Sequence, residues 1–302
     1  MRRIFFILFI CLCAVSAQAE KYYMVLSNTN QTVVDKPALT RYIYDTENPG
    51  QITPAPGNGQ TGATLCRATN LAFGGMVYYS GKIYAIAHTG DIYRFDAYTG
   101  NNEGRIIKGL NSPQAITVGP DKNLYIATQV YVARYTLTGK PKPGLDCYGD
   151  IFSQSSKILY GTGITFGKDG NLIVSSQVTS TILHISAKTG NILRYWVVGG
   201  VLTDVTYGED GLFYASATGE AGLDKKGYVL ILNTKTGSTA KKYYADTSDP
   251  FGINFTPDGR MILGSYYEGI LRAYKEDTPL GYLVEQNPLE RHSRVVFYKI
   301  NK

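Results

Sequence analysis

The sequence predicts an all-β fold made of repeated four-stranded antiparallel sheets, and three observations predict it. A fourteen-residue phrase recurs along the chain. Each copy places a tight turn, Asp-Gly or a close variant, between two runs rich in Val, Ile, Tyr and Leu. Apolar residues at the helical i, i+3, i+4 spacing are missing beyond the first nineteen residues.

The copies read GGMVYYSGKIYAIA (74–87), AITVGPDKNLYIAT (115–128), GITFGKDGNLIVSS (163–176), DVTYGEDGLFYASA (204–217) and GINFTPDGRMILGS (252–265). A third β-rich run follows each one, at 92–95, 132–135, 182–185, 228–231 and 270–274. In the first four, Thr-Gly then turns the chain into a fourth strand, as at 99–100 and 189–190. A unit of four antiparallel strands recurring about every 40–50 residues cannot bury both faces alone and must stack on its neighbours. That makes a β-propeller. Five units span roughly 67–285. The ends supply YYMVL (22–26) and TRYIY (40–44) at the front and RVVFYKI (294–300) at the back. Strands from both termini complete a sixth blade and remove the open sheet edge. The prediction is one six-bladed domain over 20–302.

Composition agrees. A chain of 302 residues that is 44% hydrophobic has ample core, which excludes a disordered chain. Its 33 glycines show no three-residue period, which excludes collagen. No internal apolar run approaches the roughly 20 residues of a membrane-spanning helix. Residues 1–19 are read separately. Arg2 and Arg3 precede an apolar stretch at 4–15, and Ala17-Gln18-Ala19 forms a small-x-small cleavage site. A cleaved secretory signal is expected, with the mature chain secreted or periplasmic. Losing the two arginines would lower the net charge from +6 by two. The remaining Lys and Arg are scattered, so nucleic acid is not an expected partner, and a monomer is expected. Cys66 and Cys147 remain after cleavage. They form a disulfide if their backbones approach, or stay two separate thiols if not.

The segment PFGINFTPDG (250–259), the strand after it and ILRAY (270–274) resemble the NHL repeat. They are also similar to units of the six-bladed superfamily that holds SMP-30/gluconolactonase, strictosidine synthase-like proteins and streptogramin lyase. The resemblance covers about three-quarters of the mature chain. It implies the fold and leaves the activity open, because such propellers bind, scaffold and catalyse.

Propeller geometry ranks the residues of one face. In this fold the first strand of each blade lines the axis, and the chain just before it shares a face with the chain just after the second strand. Loops there carry function while strands carry packing. Seven places before each turn glycine, or the lysine of the Asp-Lys variant, lie Gly74, Ala115, Gly163, Asp204 and Gly252. Four are small, as a crowded axis requires, and Asp204 breaks the pattern. One place earlier stand Phe73, Gln114, Thr162, Thr203 and Phe251. Seven places after the same turn residues come His88, Gln129, Gln177, Thr218 and Tyr266, with Asn28 equivalent in the first blade. Amides, hydroxyls and aromatic faces suit a polar ligand. Asp204, Gln114, Thr203, Phe251, His88, Gln129, Gln177, Tyr266 and Asn28 are therefore the candidate ligand-binding set. The competing reading makes Asp204 a cap for nearby backbone N–H groups.

The expected function is non-catalytic binding of a glycan, peptide or protein partner at this face, with no cofactor. The alternative implied by the resemblance is a metal-dependent hydrolase or lyase. In it Asp204 would help hold a divalent cation such as calcium, and His88 would act as base. Departures from the family pattern weigh against that. The early Glu-Gly-Pro-x-Trp segment of gluconolactonase-like proteins is missing, and His184 and His292 do not fall at channel positions. The long connections 45–66, 140–160 and 217–227 would form a lid if they converged on the mouth.

Overall fold

The computed structural model describes residues 20–29, 37–67, 71–219, 226–247, 249–265, 268–275, 278–284 and 292–300. The leader reading at 1–19 and the Tyr266 candidate lie outside them. Six antiparallel sheets are arranged around an axis. Blade 1 comprises β1 (Lys21–Asn28), β2 (Pro37–Asp45), β3 (Ile52–Pro54) and β4 (Thr64–Arg67). Blade 2 holds β5 (Phe73–Tyr79), β6 (Lys82–Ala87), β7 (Ile92–Asp96) and β8 (Asn102–Ile107). Blade 3 holds β9 (Ala115–Val118), β10 (Asn123–Ala127), β11 (Tyr131–Thr136) and β12 (Ile151–Gln154). Blade 4 is β13 (Gly161–Phe166), β14 (Leu172–Ser176), β15 (Thr181–Ile185) and β16 (Ile192–Val197). Blade 5 is β17 (Val201–Tyr207), β18 (Phe213–Thr218), β19 (Tyr228–Leu232) and β20 (Thr239–Tyr244). Blade 6 is β21 (Pro250–Phe255), β22 (Met261–Ser265), β23 (Leu271–Lys275) and β24 (Thr278–Val284). The last strand, β25 (His292–Lys299), returns to blade 1, where it pairs antiparallel with β1. It thereby becomes the innermost strand of that blade, and the two chain ends close the ring as the sequence predicts.

The recurrent turns behave as their chemistry dictates. Gly170, Gly211 and Gly259 adopt positive φ, and in the Asp-Lys variant Lys122 does the same at φ 60°. The preceding carboxylates turn inward on the turn itself: Asp169 Oδ1 accepts the Asn171 N–H at 3.1 Å, and Asp210 Oδ1 accepts that of Leu212 at 3.0 Å. The Thr-Gly turns dock one blade on the one before. A Cβ on Gly190 of blade 4 would fall 2.0 Å from the Phe152 carbonyl oxygen of blade 3, so no larger residue fits there.

Between blades the core is continuous. Tyr125, Phe152, Leu172 and Val174 pack blade 3 on blade 4, and Ile173, Ile182, Phe213 and Leu230 pack blade 4 on blade 5.

Three expectations change here. Cys66 lies in β4, buried in the core where blades 1 and 2 meet, and Cys147 follows β11 with its Sγ 3.8 Å from the Phe152 carbonyl oxygen. Both thiols are free. Blade 2 stands between them, so they cannot bridge. Two of the long connections run away from the mouth. The Asn58 N–H donates to Thr99 and the Leu145 N–H to Thr189, both on the Thr-Gly turns at the opposite end. Finally, β5 shifts register between Phe73 and Met76, which moves Gly75 into the axial ring in place of Gly74.

Candidate functional site

The innermost strands bring Gly75, Ala115, Asp204, Gly252 and Arg294 around an axial cavity of about 210 Å³, with Gly163 packed against Asp204. Smallness is enforced. A Cβ on Gly163 would lie 2.3 Å from the Val205 nitrogen and 2.6 Å from Asp204 Oδ1. The two larger members are of opposite charge, and they meet. The Arg294 guanidinium pairs with Asp204 Oδ2 and donates to the Thr162 carbonyl at 2.6 Å. Asp204 Oδ1 accepts the Val205 N–H at 2.8 Å, and Oδ2 also accepts the Ile253 N–H at 3.0 Å. Four blades are tied by this one pair: blade 4 through Thr162, blade 5 through Asp204, blade 6 through Ile253 and blade 1 through Arg294. Burial lowers the Arg294 guanidinium to about 9, which leaves it protonated at neutral pH opposite the carboxylate.

Asp204 is thus one half of an ion pair that also caps two N–H groups, and the capping reading describes its geometry. Both oxygens are engaged, and its ring neighbours other than Arg294 are Gly or Ala. The ring does not offer the six to eight oxygens that calcium takes. Among the described residues, no three His, Cys, Asp or Glu side chains converge on a common point. Asp249, bonded to the Thr247 and Ser265 hydroxyls, lines neither the axial cavity nor the mouth. Glu268, its carboxyl raised by burial and then by the Asp249 charge, lines neither one either.

On the predicted face lies a second cavity, of about 360 Å³. Three of the candidate ligand-binding residues line it, His88, Gln114 and Phe251, together with Phe73 and Gly74. Thr29, Thr89, Ser112 and Tyr160 add to its polar and aromatic wall. His88 Nδ1 accepts the Ala72 N–H at 3.2 Å, which fixes the ring proton on Nε2, on the far side of the ring from Ala72. Phe73 is fully buried, with edge-on contacts to Tyr93 and Phe95, so it forms the floor. Phe251 carries the Arg294 guanidinium 5.3 Å from its ring centroid. His88 and Ser112 are exposed, and Gln114 and Tyr160 are half-buried. Ser112 and Tyr160 hold φ values of 45° and 61°, left-handed conformations that non-glycine residues adopt at a cost of about 1–3 kcal/mol each. Both line this cavity.

The other candidates do structural work. Thr203 is buried, shares a hydrogen bond with Ser216 and donates to the Pro250 carbonyl. Thr162 does the same with Ser175 and Leu202. Asn28 is fully buried and donates to the Pro37 carbonyl at 3.1 Å. Gln129 and Gln177 stand beside the cavity without lining it, and their backbones hold Tyr160 from both sides: Tyr160 N–H donates to the Gln129 carbonyl and Gln177 N–H to that of Tyr160. His184 is buried in β15, between Asp169 and Arg194, away from the axis.

Sequence reasoning missed Arg294 and Tyr160. Arg294 was legible in principle, because aligning RVVF (294–297) with DVTY (204–207) puts it at the ring position. Tyr160 sits in a connection outside the repeat, where no periodicity marks it.

No protein-family model matches this chain, and no curated protein matches it. Solved structures do. A protein of unknown function from Bacteroides caccae shares 11% identity, with a TM-score of 0.60 over 91% of this chain and 98% of that one. A chain of a nidogen/laminin complex shares 11% identity, with a TM-score of 0.62 over 92% and 98%. Virginiamycin B lyase from Staphylococcus aureus shares 15%, with a TM-score of 0.51 over 76% and 70%. Likeness at these identities establishes the fold, a six-bladed propeller.

Proposed function

We propose that this chain is an exported propeller of the NHL/SMP-30-like kind that binds a small polar ligand in the mouth cavity without transforming it. The observation that carries this reading is the convergence of His88, Gln114, Ser112 and Tyr160 on one cavity of the predicted face. A concave site where a few polar groups converge among apolar walls is where small ligands bind. The neighbouring folds include a protein crystallised in a complex and a lyase, which agrees with propellers serving several ends. The cavity is the test. A thermal-shift screen of uncharged and charged metabolites should find a stabilising compound, and His88→Ala or Gln114→Ala should abolish that shift without lowering the unliganded Tm by more than a few degrees. Stabilisation that survives both substitutions would place binding elsewhere.

Export rests on the basic, apolar and Ala17-Gln18-Ala19 succession at 1–19. N-terminal sequencing of the native protein should begin at Glu20, in a periplasmic or culture-medium fraction. A cytoplasmic protein beginning at Met1 would contradict it.

A further inference from the structure

Resting on that reading of the mouth, we infer that its ligand is a neutral carbohydrate, a pyranose unit presented at the end of an uncharged glycan. Charge is the first argument. Among the described residues, no Asp, Glu, Lys or Arg side chain lines the cavity. Arg294, which sits over the Phe251 ring, is paired with Asp204. An ionised ligand would find no counter-charge among these residues to offset the hydration it gives up on entering.

Hydrogen-bond type is the second. Gln114 donates and accepts, Ser112 and Tyr160 hydroxyls do both, and His88 Nε2–H donates. Vicinal sugar hydroxyls also donate and accept from one atom, so this mixed wall suits them better than a run of carbonyls or amides. Third, the apolar surface is aromatic. Phe251, Tyr160 and the fully buried Phe73 all line the cavity, beside Leu110 and Pro113. A pyranose ring presents a flat patch of C–H bonds to such surfaces and its hydroxyls around the edge. Fourth, a volume of about 360 Å³ lies near the lower end for small-ligand sites, which fits a terminal unit and its linkage rather than an extended chain.

Saturation-transfer NMR with methyl glycosides of common neutral hexoses and N-acetylhexosamines, the matching uronates, and a set of tripeptides tests this. At least one neutral glycoside should receive saturation and its uronate should not. Gln114→Ala and Tyr160→Phe should each weaken its binding at least tenfold, whereas Gln129→Ala, beside the cavity, should leave it within twofold. Tyr160→Phe keeps the ring and the backbone turn, so it remains readable even if a larger truncation fails to fold. Binding confined to uronates or tripeptides would overturn the carbohydrate class while the mouth remained the site, provided that binding still depended on Gln114. A neutral glycoside whose binding ignores Gln114 and Tyr160 would overturn the inference. A full panel without any Gln114-dependent binding would overturn both it and the reading it rests on.

Discussion

Asp204 and Arg294 show how one ion pair can hold a ring together. Each is at most about a tenth exposed, and between them they reach four blades. Removing one partner from a buried pair leaves the other charge uncompensated, at a cost of about 3–5 kcal/mol. Asp204→Ala and Arg294→Met should each destabilise by that amount in denaturant titrations, and the double variant by clearly less than their sum. Additive losses would mean that the two side chains act separately. Asp96 gives a pH signature. Burial alone would raise its carboxyl, but the Thr99 N–H, the Lys82 ammonium, the Thr99 hydroxyl and the Tyr98 N–H outweigh that and hold it at about 2. A carboxyl depressed in the fold contributes stability above its ordinary value and loses it as pH falls through the folded value. About 2 kcal/mol should therefore disappear between roughly pH 4 and pH 2, and Asp96→Asn should flatten that part of the stability profile. The two thiols differ as well. Burial pushes Cys66 up to about 12, so alkylation at pH 8 with peptide mapping should label Cys147 in the native protein and Cys66 only after unfolding.

At the scale of elements, the outer strands differ in how they guard their open edges. Outer strands invite pairing with other chains unless charge, proline or brevity blunts them. Strand β20 carries Lys241 and Lys242, β24 carries Pro279, β8 carries Glu103 and Arg105, and β12 is four residues long. Strand β16 has none of these. Leu193, Tyr195 and Val197 project from one side of it at 54%, 44% and 71% exposure, and its one charge, Arg194, is turned onto His184 and the Lys235 carbonyl. Val197→Lys should reduce heat-induced aggregation, read by light scattering, more than Lys241→Ala raises it. The elements are also where the sequence was most readable. Asp-Gly and Thr-Gly turns at a fixed spacing determine strand starts, because turn geometry is local chemistry. The same spacing carried the first and second strands onto one face, so Phe73, His88, Gln114 and Phe251 could be grouped before any coordinates. Asn28, Thr162 and Thr203 were grouped with them but turned inward to satisfy carbonyl groups. A one-residue register shift in β5 exchanged Gly74 for Gly75. Spacing does not encode such bulges.

For the whole molecule, closure depends on a strand from the far end of the chain. Deleting 292–302 would strip the innermost strand from blade 1, expose the edge of β1 and leave Asp204 without its counter-ion. The truncated chain should lose its cooperative thermal transition in calorimetry, and a merely shifted transition would show that closure is dispensable. Arg294 escaped sequence reading for the same reason: the closing strand belongs to no complete copy of the repeat, and its partner lies ninety positions earlier in the chain. Its placement couples closure to the mouth, since the Arg294 guanidinium sits over the Phe251 ring. The most direct measurement is hydrogen exchange with and without a bound neutral glycoside. Protection should rise at 72–75, 88–90, 110–114, 160 and 251, all on the mouth. Protection confined to the groove around Tyr214, Tyr243 and Phe255, or to the outer strands, would contradict the account.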